Sequence, residues 1–480
     1  MRLTLVFRYV GFILLLNSFF LLLSAGVSYY YQDGAFFLLL YSAIMAFLFG
    51  IFPLIFVPPA ENINNSEGLV IVVASWLLSC LIGMIPYLMW GGEFSFTNAW
   101  FESVSGYTTT GSTILADIEA IPKSILFWRA STHWMGGVGI IIFVLSVLPS
   151  MGIAGLILYR AEMTTAAINQ FKLRARESVK IILYVYIGLT FLETISLIFA
   201  GLSLYEAVTH SFATIATGGF STKNLSIASF NSVTVEVVIM VFMIFAGTNF
   251  TLLYAAIIGR FSALFKNTAL KYYLLANFIG ISFVTINNLG TMFDSLGESL
   301  RYSSFQILSV GTSTGFATAD SSIWPYFSQL IIIFFTLQCA SAGSTSGGIK
   351  VDRVMIVFKS ITRRLKKVMY PNAVIPIYLN KESVEESAVE GTILYVIFYM
   401  MIIFISTLAL TYFDVDIMAA FSGSAACMGN VGPGMSTVGS LENYASIPNM
   451  GKLVLTLTML LGRLEIYGFI IFFIPKTWKK

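Results

Sequence analysis

Four short runs decide how this 480-residue chain is read: Ser105-Gly-Tyr-Thr-Thr-Thr-Gly111-Ser112, Ala213-Thr-Ile-Ala-Thr-Gly218-Gly-Phe-Ser221, Ser309-Val-Gly-Thr-Ser-Thr-Gly315-Phe316 and Cys427-Met-Gly-Asn-Val-Gly432-Pro-Gly434. Each is a glycine-centred turn rich in Thr, Ser or Asn. Each follows a moderately apolar stretch too short or too polar to cross a bilayer. One such turn alone reads as an ordinary connecting loop. Four of them, with glycines at 111, 218, 315 and 432 and long apolar runs on either side, read as an internal repeat. The unit is helix, re-entrant half-helix, extended turn, helix.

The surrounding composition fits. Only 11% of residues are charged, 57% are hydrophobic, and mean hydropathy is +0.84. A soluble domain carries about a quarter charged residues, so this chain must present apolar surface to lipid. A bilayer core accepts about 20 apolar residues per helix. Full-length spans are expected near 4–30, 35–57, 68–90, 124–159, 178–201, 232–259, 270–292, 326–358, 388–412 and 450–475. Arg2 and Arg8 precede the first, but it runs to about Val27 without a clear cleavage site, so it reads as a retained helix. Cys80, Cys339 and Cys427 are isolated, and His133 and His210 are the only histidines. Neither a disulfide framework nor a metal centre other than a transported ion is indicated.

Lysine and arginine stay cytoplasmic. With both termini inside, 21 of the 27 basic residues fall on inner segments, five outside, and Arg463 within a span. The outer segments hold twelve acids against those five bases, which either concentrates cations at the outer mouth or merely reflects depletion of bases. One inner connection breaks the pattern: Glu61-Asn-Ile-Asn-Asn-Ser-Glu67 has two acids and no base.

The fold class expected is an all-α polytopic membrane protein: four tandem helix–pore-loop–helix repeats in pseudo-fourfold arrangement, plus two N-terminal transmembrane helices. The divisions are 1–60 for the N-terminal hairpin, then 61–165, 166–265, 266–370 and 371–480 for the repeats. Non-helical backbone survives at membrane depth only where protein or a water-filled cavity satisfies it. Four extended turns aiming carbonyls at one axis can replace the water around a dehydrated cation. Alternating carbonyl direction needs backbone angles closed to residues with a Cβ, hence glycine. Half-helices ending at the axis add their negative dipole ends.

The turns resemble the filter segments of the Trk/Ktr/HKT superfamily of potassium transporters. Phe127-Trp-Arg-Ala-Ser-Thr-His-Trp-Met-Gly-Gly-Val-Gly-Ile140, Leu158-Tyr-Arg-Ala-Glu-Met163, His210-Ser-Phe, Gly343-Ser-Thr-Ser-Gly-Gly348 and Gly462-Arg-Leu-Glu-Ile466 narrow the likeness to the TrkH-type subunit of bacterial Trk systems. The resemblance implies potassium uptake across the bacterial inner membrane through a channel-like selectivity filter. Main-chain oxygens of Thr109, Thr110 and Gly111, of Ala216, Thr217 and Gly218, of Ser313, Thr314 and Gly315, and of Asn430, Val431 and Gly432 would coordinate K⁺. It also implies a homodimer and a cytoplasmic TrkA-type regulatory partner that binds NAD or an adenine nucleotide. This chain shows no nucleotide-binding fingerprint of its own, and no cofactor or nucleic acid is expected on it.

The eighth span is interrupted by Cys339-Ala-Ser-Ala-Gly-Ser-Thr-Ser-Gly-Gly-Ile-Lys350. By composition this is a kinked helix packed through small residues or a functional loop. The resemblance implies an intramembrane gate of Gly343, Ser344, Thr345, Ser346, Gly347 and Gly348 beneath the filter. Arg463, mid-span with Glu465 nearby, is either a structural salt bridge or a functional charge; the likeness implies an electrostatic barrier in the pore. Lys350 would anchor the loop to cytoplasmic machinery or snorkel to the interface. Arg363-Arg-Leu-Lys-Lys367 suits a partner contact or lipid headgroups equally. Arg129 would brace the first filter, His133 and His210 would be hydrogen-bonded scaffold, and Glu193 and Glu236 would make interhelical bonds or serve coupling. The principal rival is a Na⁺- or H⁺-coupled cation carrier with a midplane site. A membrane-embedded enzyme lacks any convergent His/Asp/Glu or Cys/His group.

Overall fold

The computed structural model describes residues 1–58, 65–151, 165–380 and 382–478, with 140–151 and 165–179 described by backbone alone. The motif 158–163, most of the connection 61–67, the boundary at 60 and the basic residues Arg160, Lys381, Lys479 and Lys480 lie outside the described residues, and the boundary at 165 falls at the first described residue beyond 164.

The N-terminal hairpin is α1 (Leu3–Tyr31) and α2 (Phe36–Phe56). The helices cross at two glycines: a Cβ on Gly11 would lie 2.6 Å from the Gly50 carbonyl oxygen, and one on Gly50 2.9 Å from that of Gly11. Small residues let apolar helices approach without a hydrophobic driving force. α3 (Asn65–Gly83) and α4 (Ile85–Trp90) form the third span. The base-poor inner connection finds its counter-charge at the chain start, where Arg2 reaches Glu67 through Nε at 2.9 Å and Nη2 at 2.8 Å.

Repeat 1 continues with half-helix α5 (Phe96–Tyr107) and α6 (Lys123–Met151). Repeat 2 comprises α7 (Thr165–Phe199), half-helix α8 (Leu204–Ile215), α9 (Val233–Ala246) and α10 (Phe250–Ile257). A short α11 (Ser262–Lys266) leads to repeat 3: α12 (Thr268–Asn288), half-helix α13 (Leu296–Gly311), α14 (Tyr326–Leu337) and α15 (Val351–Met369). A two-stranded hairpin, β1 (Ile377–Leu379) with β2 (Glu382–Val384), precedes repeat 4. That repeat holds α16 (Glu386–Tyr412), half-helix α17 (Ile417–Gly429), α18 (Asn449–Arg463) and α19 (Ile466–Phe473), before a last turn, α20 (Pro475–Trp478).

Three spans expected to be continuous or only interrupted are broken outright. The sixth bends by 104° between α9 and α10, and the tenth by 113° between α18 and α19. Arg463 therefore ends a helix instead of lying in the middle of one, and Glu465 follows at φ +56°. The eighth stops at Leu337, and the chain resumes as helix only at Val351. Large side chains such as Phe37, Phe278, Leu330 and Phe404 remain exposed on the outer helices, as a lipid-facing surface requires. α15 runs past the expected end of its span, with Phe358, Ile361 and Leu365 exposed beside its basic cluster, the pattern of a helix lying in the membrane interface.

Candidate functional site

Each half-helix starts at a side-chain cap. Ser95, Ser203, Ser295 and Asp416 accept main-chain N–H groups of the first turn, and Ser203 completes a capping box with Glu206. Each half-helix then ends the same way. The N–H groups of Thr110, Gly218, Thr314 and Val431 donate to carbonyls five residues back, on Ser105, Ala213, Ser309 and Ala426, at 2.8–2.9 Å. The preceding residues are left-handed in all four: Thr109 at φ +51°, Thr217 at +53°, Ser313 at +57° and Asn430 at +50°. One residue beyond the bond stand Gly111 (+84°), Gly219 (+77°), Gly315 (+81°) and Gly432 (+100°). β-branched residues at positive φ are strained, and such strain clusters at functional sites.

This pattern moves the second triplet by one residue. Thr217, Gly218 and Gly219 are in register with Thr109–Gly111, Ser313–Gly315 and Asn430–Gly432. Ala216 is the helical residue that closes α8, at φ −74° and ψ −9°. Two adjacent glycines offer two alignments to a reader of sequence, and only backbone angles choose between them.

The four turns close a ring. A Cβ on Gly111 would collide with the carbonyl oxygen of Gly218, one on Gly219 with that of Thr314, one on Gly315 with that of Val431, and one on Gly432 with that of Thr110. All four of these glycines line one cavity, together with Lys223, Glu442 and Tyr444. Polar bonds in the outer loops join every neighbouring pair. Arg129, buried on α6, binds Glu102 Oε1 at 2.5 Å and the Ser221 carbonyl at 2.9 Å, and lies over the Phe220 ring. Glu102 also accepts from the Thr113 hydroxyl and the Ile114 N–H, so one ion pair ties turn 1 to turn 2. Ser226 accepts from Ala317 N–H between turns 2 and 3, and Ser440 donates to the Ala319 carbonyl between turns 3 and 4. The Ser112 and Tyr444 hydroxyls both donate to the Gly432 carbonyl, closing turn 4 on turn 1.

His210 is hydrogen-bonded, through Nδ1 to the Glu206 carbonyl and Nε2 to Ser221 Oγ. His133 is instead stacked on Phe220, 4.0 Å between centroids and 12° from parallel. Glu236 pairs with Arg301 of α13 through both oxygens at 2.7 Å. The N-terminal hairpin reaches the ring as well: Tyr107 donates to Asn17 Oδ1 at 2.6 Å, and Asn17 Nδ2 donates to Ser79. Glu102 and Asn17 were not singled out from sequence. A carboxylate or amide within an apolar run was the available signal.

Beneath the ring lies the segment 338–350, zipped onto the break between α9 and α10. Ser341 N–H donates to the Gly247 carbonyl at 3.1 Å, Phe250 N–H to that of Gly343 at 3.1 Å, and Asn249 Nδ2 to that of Ala342 at 2.8 Å. Gly347 N–H donates to Ser313 Oγ at 2.8 Å, and Ser313 Oγ donates to Ser346 Oγ at 3.1 Å. Arg463 is fully buried; Nη1 donates to the Thr345 carbonyl at 2.9 Å and Nη2 to that of Gly136 at 3.0 Å. Lys350 turns back on the loop to the Ser346 carbonyl. Glu465 binds Arg353 of α15 at 2.8 Å, not Arg463.

The TrkH family, described as a cation transport protein, matches residues 43–480. The chain belongs to this family. The Trk system potassium uptake protein TrkH of Salmonella typhimurium is 33% identical, over 98% of this chain and 99% of its own length. TrkH of Halomonas elongata is 29% identical with both chains fully covered. The crystal structure of the potassium transporter TrkH from Vibrio parahaemolyticus superposes with a TM-score of 0.91 at 30% identity, covering all of both chains. The relative and the solved structure match along the whole chain, the N-terminal hairpin included. TrkH proteins are transporters, not enzymes.

Proposed function

We propose that this chain takes up potassium ions through the ring, with Thr109–Gly111, Thr217–Gly219, Ser313–Gly315 and Asn430–Gly432 as its selectivity filter. The observation that carries this is the closure of four equivalent strained turns around one cavity. A cation entering there sheds water and meets main-chain oxygens of turns whose backbone is fixed by the hydrogen bond at each half-helix end, not by the ion's own presence. Four half-helix C-termini add negative potential. The printed activity of the relatives, potassium uptake, supplies the identity of the ion.

The segment 338–350 with Arg463 acts as the gate. It lies under the filter, is bonded to it, and places a guanidinium where a cation would leave. Gly343 at φ +79° and Gly348 at +62° give it hinge points. α15 links this gate to the inner surface, where a TrkA-type nucleotide-binding partner would act on Arg363–Lys367. The inner bacterial membrane, cytoplasmic termini, a homodimer and repeat boundaries at 60, 165, 265 and 370 complete this reading. An H⁺-coupled carrier would need a titratable group on the path, and Glu442, which lines the cavity above the ring, is the acid placed for that role. Glu193 is buried in α7 beside Thr214, behind the second half-helix, and does not line that cavity.

The test is flux in proteoliposomes with K⁺, Rb⁺ or Na⁺ under an imposed membrane potential. Passive K⁺ and Rb⁺ entry that exceeds Na⁺ entry supports the proposal; K⁺ entry that requires a Na⁺ or H⁺ gradient refutes it.

A further inference from the structure

The docked gate loop is bonded to oxygens that have no other main-chain partner. Ile215 ends half-helix α8 and Ala246 ends α9, so the carbonyls of both point past their helices. Among the described residues neither accepts a main-chain hydrogen bond. Both converge on one donor, Thr345 Oγ1, at 2.9 Å from Ile215 O and 3.3 Å from Ala246 O. Thr345 is fully buried, and its own carbonyl is held by Arg463. Two residues on, Gly347 N–H takes Ser313 Oγ in the same manner.

Two helix C-termini aimed at one point form a negative electrostatic focus, and buried carbonyls without a partner are costly. The loop meets them with one O–H, that of Thr345, shared between the two carbonyls, a donor that stands in for a positive ion. We propose that the Ile215 and Ala246 carbonyls form an inner alkali-cation site that the docked loop fills with Thr345 Oγ1. Loop docking and cation occupancy then compete. This inference rests on the transport reading and deepens it: the permeating ion is itself a ligand of the gate. A ligand that binds only the undocked state shifts the docking equilibrium in proportion to its occupancy, and the docked state must bind the cation less well by the same factor. Na⁺ would compete less than K⁺ if two carbonyls spaced around a hydroxyl fit the larger ion better.

The experiment follows amide hydrogen exchange of peptides covering 339–350 in the full chain, reconstituted in lipid nanodiscs. K⁺ replaces N-methylglucamine at constant ionic strength, with a parallel Na⁺ series. Exchange should accelerate with K⁺ and saturate, at a lower concentration than with Na⁺. Thr345→Val removes the donor at nearly constant volume. It should move the K⁺ midpoint down by about fivefold, the factor carried by one hydrogen bond. Thr345→Ser, which keeps the hydroxyl, should restore the wild-type midpoint. Exchange in 339–350 that ignores K⁺, or valine and serine variants that behave alike, would overturn the proposal. Rb⁺ flux from the same wild-type protein reconstituted in sealed proteoliposomes separates the two readings: no flux defeats the transport reading, whereas flux with K⁺-independent exchange defeats only this one.

Discussion

At the scale of single residues, the second turn offers the sharpest test. A methyl on Gly219 meets the main chain of turn 3 at a positive φ, whereas a methyl on Gly218 meets the His133 ring. A backbone carbonyl in a turn pinned by its neighbouring N–H cannot retreat, but a side chain can be removed. Gly218→Ala should therefore regain Rb⁺ flux when combined with His133→Ala, and Gly219→Ala should not; the reverse result would place the register at Gly218. Arg129 and Glu102 make a buried pair whose partners also hold three main-chain or hydroxyl groups. Removing one member of such a pair costs about 3–5 kcal/mol. Arg129→Gln should thus lower the thermal midpoint clearly in detergent, as followed by intrinsic fluorescence. An unchanged midpoint would mean that the ion pair does not brace turns 1 and 2.

Among elements, the broken spans matter most, because each break frees main-chain groups that another segment uses. Gly247 to Asn249 interrupt α9 and α10, and the segment 338–350 occupies the freed carbonyls and N–H groups. Arg463 ends α18 with its two terminal nitrogens on two different elements, the loop and α6. A glutamine cannot span both. Arg463→Gln should raise Rb⁺ flux measured without any cytoplasmic partner by about fivefold, roughly the effect of one lost hydrogen bond. Flux that falls or stays level would remove Arg463 from the gate. The N-terminal hairpin is bound behind turn 1 through Tyr107 and Asn17. Tyr107→Phe should destabilise by about 1 kcal/mol, the net value of one hydrogen bond, without altering K⁺ over Na⁺ preference.

For the molecule as a whole, ring closure makes the four repeats interdependent: every glycine of the ring faces the next turn's main chain. Gly315→Ser would drive a side chain into the Val431 carbonyl and Pro433 at a left-handed φ. It should reduce flux at least about tenfold and abolish growth of a potassium-uptake-deficient strain at low K⁺. Normal growth would contradict the ring as the path. The outer excess of acids over bases can be tested too. Raising an impermeant salt from about 10 to 100 mM shortens the Debye length from about 30 to 10 Å. If those acids gather cations, uptake at low K⁺ should fall; if they only mark an absence of bases, uptake should hold.

Composition and periodicity alone established a polytopic helical membrane protein, because sustained apolar length has no other stable use in water or lipid. Repetition of four Thr- and Gly-rich turns singled out the segments proposed here as the path, since exposed backbone at that depth must face protein or water. Tertiary structure alone decided which glycine of the Gly218-Gly219 pair enters the ring. It also decided that Arg463 serves the loop while Glu465 serves Arg353, and that the sixth and tenth spans break. The reason is common to all three. A hydropathy pattern records which residues avoid water, but hydrogen bonds between segments some 100 residues apart choose which main-chain groups a helix may leave unpaired.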